Sequence, residues 1–126
     1  MPERVARYST VVLLVSLLSG CAEPSARPFV GSWTRDAAEF GVAHLTVRPT
    51  AAVELRLTSA PAGTPDTMRG PARFRGDTMI FKGAPCERGE ARYLLRRTDS
   101  ALVITALGTE GCATRHAVLA GLWTPE

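Results

Sequence analysis

Residues 52–58 read AVELRLT, with Val53, Leu55 and Leu57 on one side of an extended chain and Glu54 and Arg56 on the other. Successive side chains of a strand point to opposite faces, so this alternation marks a strand with one face on a core and one in water. The same period recurs in both directions along the chain. It marks strands at 29–36 (FVGSWTRD), 43–49 (AHLTVRP), 67–75 (TMRGPARFR, bent at Gly70-Pro71), 77–82 (DTMIFK), 90–97 (EARYLLRR), 101–108 (ALVITALG) and 115–123 (RHAVLAGLW). Gly, Pro, Asp and Ser separate them, with short turns at Gly76-Asp77 and Thr98-Asp99-Ser100. No stretch beyond residue 28 carries a convincing helical period. The fold expected is all-β.

Eight strands joined mostly by tight turns form a meander, and such a meander removes its exposed edges by closing into an antiparallel up-and-down barrel. The two tryptophans stand in similar phrases, Gly31-Ser-Trp33-Thr and Gly121-Leu-Trp123-Thr, in the first and last strands. With 115–123 taken as the eighth strand, Trp33 at the start of the first and Trp123 at the end of the last are expected to meet at one mouth. Cys86 and Cys112, which precede the sixth and eighth strands, then share the opposite mouth.

The inward set given by alternation is almost wholly apolar. It comprises Trp33, Leu45, Val47, Val53, Leu55, Leu57, Phe74, Met79, Phe81, Tyr93, Leu95, Leu102, Ile104, Leu119 and Trp123. An eight-stranded barrel either fills with such side chains or holds one small ligand. If it holds a ligand, Trp33, Leu55, Phe74, Phe81, Tyr93, Ile104 and Trp123 line the site, Tyr93 offering a polar handle. No catalytic residue, metal ligand set or cofactor is expected. Nucleophile elbow, zinc-protease and phosphate-loop motifs are missing, and His44 and His116 are read as rim or surface residues.

The first twenty residues are set apart by Arg4, Arg7 and the apolar run 11–18, which is too short to span a bilayer. The run ends in Leu18-Ser-Gly-Cys21, which resembles the lipobox of bacterial lipoproteins. That resemblance implies cleavage before Cys21 and its acylation, with the membrane as a partner through the anchor. Ala22 lacks the acidic character associated with retention at the inner membrane, so the expected place is the periplasmic face of the outer membrane. The chain then divides into a signal peptide (1–20), a flexible tether with lipidated Cys21 (21–28) and a barrel (29–126).

Of three cysteines, lipidation of Cys21 leaves Cys86 and Cys112 as an even pair in an oxidising compartment, where a bridge is favoured over two free thiols. Its loop closure would contribute about 3 kcal/mol. Once Arg4, Arg7 and Glu3 leave with the signal, 13 cations face 11 anions. So slight an excess in an exported chain gives no footprint for nucleic acid.

Gly31-Ser-Trp33 resembles the Gly-x-Trp start of the lipocalin and calycin group. The set Cys86, Tyr93, Leu102–Thr105, Gly111-Cys112, Arg115, Leu119, Gly121 and Trp123 is similar to small lipocalin-like bacterial lipoproteins. The expected function is that of an envelope lipoprotein, not an enzyme, whose lipocalin-like barrel binds a small apolar ligand or lipid. The alternative is a filled barrel that binds or inhibits an envelope protein through its rim.

Replacing Cys21 by Ala is expected to abolish acylation and release the protein from the membrane fraction. Mass spectrometry of the processed chain and fractionation of cells check this.

Overall fold

The computed structural model describes residues 24–83, 86–108 and 111–126. The expected signal peptide and Cys21 lie outside them. Eight strands close into an antiparallel barrel in chain order: β1 (Gly31–Asp36), β2 (Val42–Val47), β3 (Ala52–Leu57), β4 (Thr67–Arg75), β5 (Thr78–Gly83), β6 (Cys86–Arg97), β7 (Leu102–Leu107) and β8 (Gly121–Pro125). The fold class and seven of the strands agree with the alternation of apolar residues. Odd strands begin at one mouth, here the upper, and end at the lower.

Alternation sets the register. Leu45 of β2 stands between Trp33 and Leu55, and Leu55 in turn stands opposite Met68. On the other half of the wall, Met79 stands between Phe74 and Tyr93, while the ring of Phe81 is flanked by Ala72 and Ala91. Large beside small fills a narrow barrel without strain. All fifteen expected inward residues are buried. Alternation alone missed Met68 and the small residues Ala43, Ala72 and Ala91, which are buried as well.

The bend expected at Gly70-Pro71 is where β4 changes partner. Residues 67–71 pair with β3, and residues 72–75 pair with β5. Proline cannot donate to a ladder, so it is tolerated where one pairing ends and the next begins. The last strand divides in the same way: residues 121–123 pair with β7, and residues 124–125 pair with β1.

Two departures concern the ends of the barrel. The first is the expected tether, of which Pro24–Phe29 is a 3-10 turn with Ala26 and Phe29 buried. Phe29 stacks on Phe74 with ring centroids 6.1 Å apart, so the turn lies over the upper mouth. The second is 115–123, expected as one strand, of which Ala113–Leu119 is a helix, α1, and only Gly121 onward is β8. Seven residues of mixed composition give a weak periodic signal. Val118 and Leu119, adjacent in sequence, are both buried because a helix can turn neighbours toward the same core.

This relocates Trp123. It lies near the start of β8 rather than its end, on the side of the lower mouth, while Trp33 lies on the side of the upper one. Trp33 stands opposite Pro125 across the seam, not opposite Trp123. The two Gly-x-Trp-Thr phrases are therefore equivalent junctions at opposite ends. Each follows a short helical segment, turns on a glycine with φ of +144° (Gly31) or +147° (Gly121), and enters a strand. Each indole donates back to the carbonyl four residues earlier: Trp33 Nε1 to Phe29 O at 3.0 Å, Trp123 Nε1 to Leu119 O at 2.9 Å.

The two glycines differ in their surroundings. A Cβ on Gly31 would come no closer than 3.9 Å to the Trp33 indole nitrogen, whereas one on Gly121 would lie 2.6 Å from Arg35 Nη2 and 2.8 Å from its Cζ. Gly31→Ala is expected to cost about 1–3 kcal/mol from backbone strain alone. Gly121→Ala carries the same strain plus displacement of Arg35, and its urea midpoint should fall further than that of Gly31→Ala.

Candidate functional site

The expected ligand-lining residues all converge on the barrel interior. Trp33, Leu55, Phe74, Phe81, Tyr93, Ile104 and Trp123 are each at most 5% exposed. They are drawn from seven different strands, which the inward half of the alternation brings together. The surface they present is apolar, with the Tyr93 hydroxyl as its polar group.

Both mouths above this interior are covered. At the upper mouth the Pro24–Phe29 turn packs on β4 and β6. Arg97, where β6 leaves the barrel, donates from Nη1 to Pro28 O at 2.8 Å and places its guanidinium 5.4 Å from the centre of the Trp33 ring. At the lower mouth α1 lies across the opening. Arg35 reaches over from β1, donates from Nη1 to Val118 O at 2.5 Å and to Ala117 O at 3.1 Å, and covers the Trp123 ring at 5.7 Å.

Each arginine thus joins a cap to an indole. The carbonyls at a helix C-terminus lack intrahelical donors and carry partial negative charge, so a guanidinium there satisfies them and complements the dipole. Burial pushes the Arg35 guanidinium below its ordinary value, an effect the neighbouring Asp36 opposes. A third arginine, Arg115 of α1, is 1% exposed and stands 5.8 Å from the centre of the Phe81 ring. Among the described residues, no buried side-chain nitrogen or oxygen is left without a partner.

Alternation places Arg35 on the face of Trp33 and Arg97 on the face of Tyr93 and Leu95, but an inward set chosen for apolar residues leaves both out, and the expected eighth strand hid the fact that Arg115 belongs to a cap. The phrase that pointed to them was the repeated Gly-x-Trp-Thr. An indole just inside a strand start needs a cover over its ring.

Cys112 is 2% exposed, immediately precedes α1 and is disulfide-bonded. Cys86 begins β6 at the same lower mouth, but its side chain lies outside the described residues. The lower mouth is that of Trp123, so the cysteines do not lie opposite both tryptophans as expected. His44 faces outward on β2 and pairs through Nδ1 with the Glu126 carboxylate, tying the chain end to the wall. His116 is exposed on α1. Among the described residues no three His, Cys, Asp or Glu side chains gather as a metal site.

The outer surface carries two further features. A shallow groove of about 550 Å³ lies along β3 and β4, lined by Arg48, Ala52, Val53, Glu54, Arg69, Gly70 and Pro71, with Glu54 bonded to Arg69 at 2.8 Å. Beyond it, Leu107 and Leu122 are 40% and 59% exposed on the wall of β7 and β8, Leu122 beside Val103. Comparison of the chain with protein-family models, with curated proteins and with solved structures finds no match.

The Arg35 contacts yield a quantitative expectation. Trp123→Ala should destabilise the fold by about 3–5 kcal/mol. Arg35→Met should cost less, and the two losses should couple by about 0.5–2 kcal/mol, the range for a cation over an indole. A double-mutant cycle in urea checks both values, and strict additivity would separate the pair energetically.

Proposed function

We propose that this chain is a lipid-anchored protein of the bacterial cell envelope, held at the periplasmic face of the outer membrane, whose lipocalin-like barrel binds an envelope protein through its outer surface. Leu18-Ser-Gly-Cys21 supports the anchor. The eight-stranded barrel and the Gly-x-Trp entry to β1 support the lipocalin-like affiliation. A Cys86–Cys112 bridge is part of the proposal, favoured by the bonded state of Cys112 and by the start of β6 at the same mouth.

The observation that carries the surface reading, over that of a carrier, is the covering of both mouths. A ligand entering from below would have to displace Arg35 from two carbonyls and α1 from Trp123. One entering from above would have to part Phe29 from Phe74 and Arg97 from Pro28. The lower route breaks the buried bond from Trp123 Nε1 to Leu119 O, and a buried group left unpaired costs about 1–3 kcal/mol; the upper route uncovers the buried ring of Phe29. The wall of the barrel, in contrast, offers exposed Leu107 and Leu122 among arginines, a composition suited to protein contact.

Titration with a fluorescent fatty acid such as cis-parinaric acid tests this. The expected outcome is no saturable signal. A saturable signal competed by palmitate would establish the barrel as a carrier and overturn the surface reading.

A further inference from the structure

The barrel is electrically polarised along its axis. At the upper mouth, β2, β4 and β6 each run out into arginine: Arg48 follows β2, Arg75 ends β4, and Arg96-Arg97 end β6. Arg27 of the capping turn adds a fifth, and all five are exposed. The acidic residues there are Asp77 and Asp99 in the turns, Glu126, which is engaged by His44, and Glu54, which lies 4.0 Å from Arg48 and is bonded to Arg69. At the lower mouth the balance tips the other way. The exposed charges there among the described residues include Asp36, Glu39 and Asp66 against Lys82 and Arg56.

The upper mouth is also where the chain arrives from Cys21. The capping turn begins at Pro24, and three peptide steps reach at most about 10 Å. That turn packs against β4 and β6. An acyl chain on Cys21 therefore holds this mouth, and not the other, within about a Debye length of a bilayer surface at physiological salt.

We infer that the arginine-rich upper mouth is a docking surface for the anionic headgroups of the membrane carrying the anchor. The barrel then stands upright on the bilayer, with α1 and the acidic lower mouth facing away from it. The orientation rests on the proposed acylation of Cys21; the affinity of the mouth for anionic lipid does not. An arginine close to an anionic surface strengthens binding about fivefold. Several around one rim favour contact through that rim over contact through the wall.

The test uses the chain from Ala22 to Glu126, which contains every described strand and both caps and carries no acyl group. Its sedimentation with vesicles of phosphatidylcholine is compared with that on vesicles containing about 30 mol% phosphatidylglycerol, the usual order for a surface potential of this kind. Binding is expected to be at least about tenfold stronger on the anionic vesicles at low salt and lost at high salt.

The double variant Arg75→Gln/Arg96→Gln should lose about tenfold of that binding. Arg56→Gln/Arg92→Gln, both away from the upper mouth, should stay within about twofold. The two variants remove the same net charge, and matched thermal melting of both confirms that each is folded. Equal binding to the two vesicle types, or equal loss in the two variants, would overturn the docking surface.

The mass of the mature wild-type chain reports acylation separately. An unacylated chain that still binds through the mouth would refute the anchor and uphold the docking surface. An acylated chain without mouth-dependent binding would do the reverse.

Discussion

Closure of the barrel depends on the seam between β1 and β8, where just two residue pairs meet, Trp33 with Pro125 and Thr34 with Thr124. By comparison, β1 and β2 share six pairs. A seam this short is a weak ladder, and Arg35 extends it by other means. From β1 it bonds two carbonyls of α1, the segment that feeds β8, and covers the indole just inside β8. One guanidinium so joins the first strand, the last strand and the lower cap. Its close fit against Gly121 explains why a residue without a side chain opens β8.

The upper mouth uses the same parts in another arrangement. There the indole belongs to β1, the carbonyl to the preceding turn, and the arginine to β6. Trp33 and Trp123 thereby anchor two caps on one core rather than one plug at a single end. A small domain gains much from this, because capping both mouths buries Phe29, Val118 and Leu119 in addition to the inward strand residues. It also covers both entrances to the interior, in line with a proposed working surface on the wall and rims.

Strand order, face assignment and closure were legible in the sequence because alternation is a local signal repeated in seven of the eight strands. The 52–58 strand agrees to within a residue, and even the interrupted 67–75 segment forms one strand. Where the reading failed, a longer-range cause was at work. Residues 113–119 are helical because their apolar side chains cover a mouth built by distant strands, which seven residues cannot announce. Pro24–Phe29 looks like a linker by composition, and folds because Phe29 finds Phe74 some 45 residues away. The arginines over the indoles share the inward period of Trp33 and of Tyr93 and Leu95, unlike those of the outer wall, but what they cover exists only once the distant caps are in place.

The central claim is that the barrel is closed and capped at both mouths as one cooperative unit. Hydrogen exchange followed by NMR on the mature chain tests it most directly, through the two indole N–H groups and the amides of Thr34 and Thr124. If the caps and seam are integral, these protons exchange at the rate of the central amides of β2, β3 and β6, because they open only with the whole fold. Exchange of the Trp123 indole or the seam amides orders of magnitude faster than that core would contradict the account, showing a lower cap that lifts, or a seam that parts, while the barrel stands.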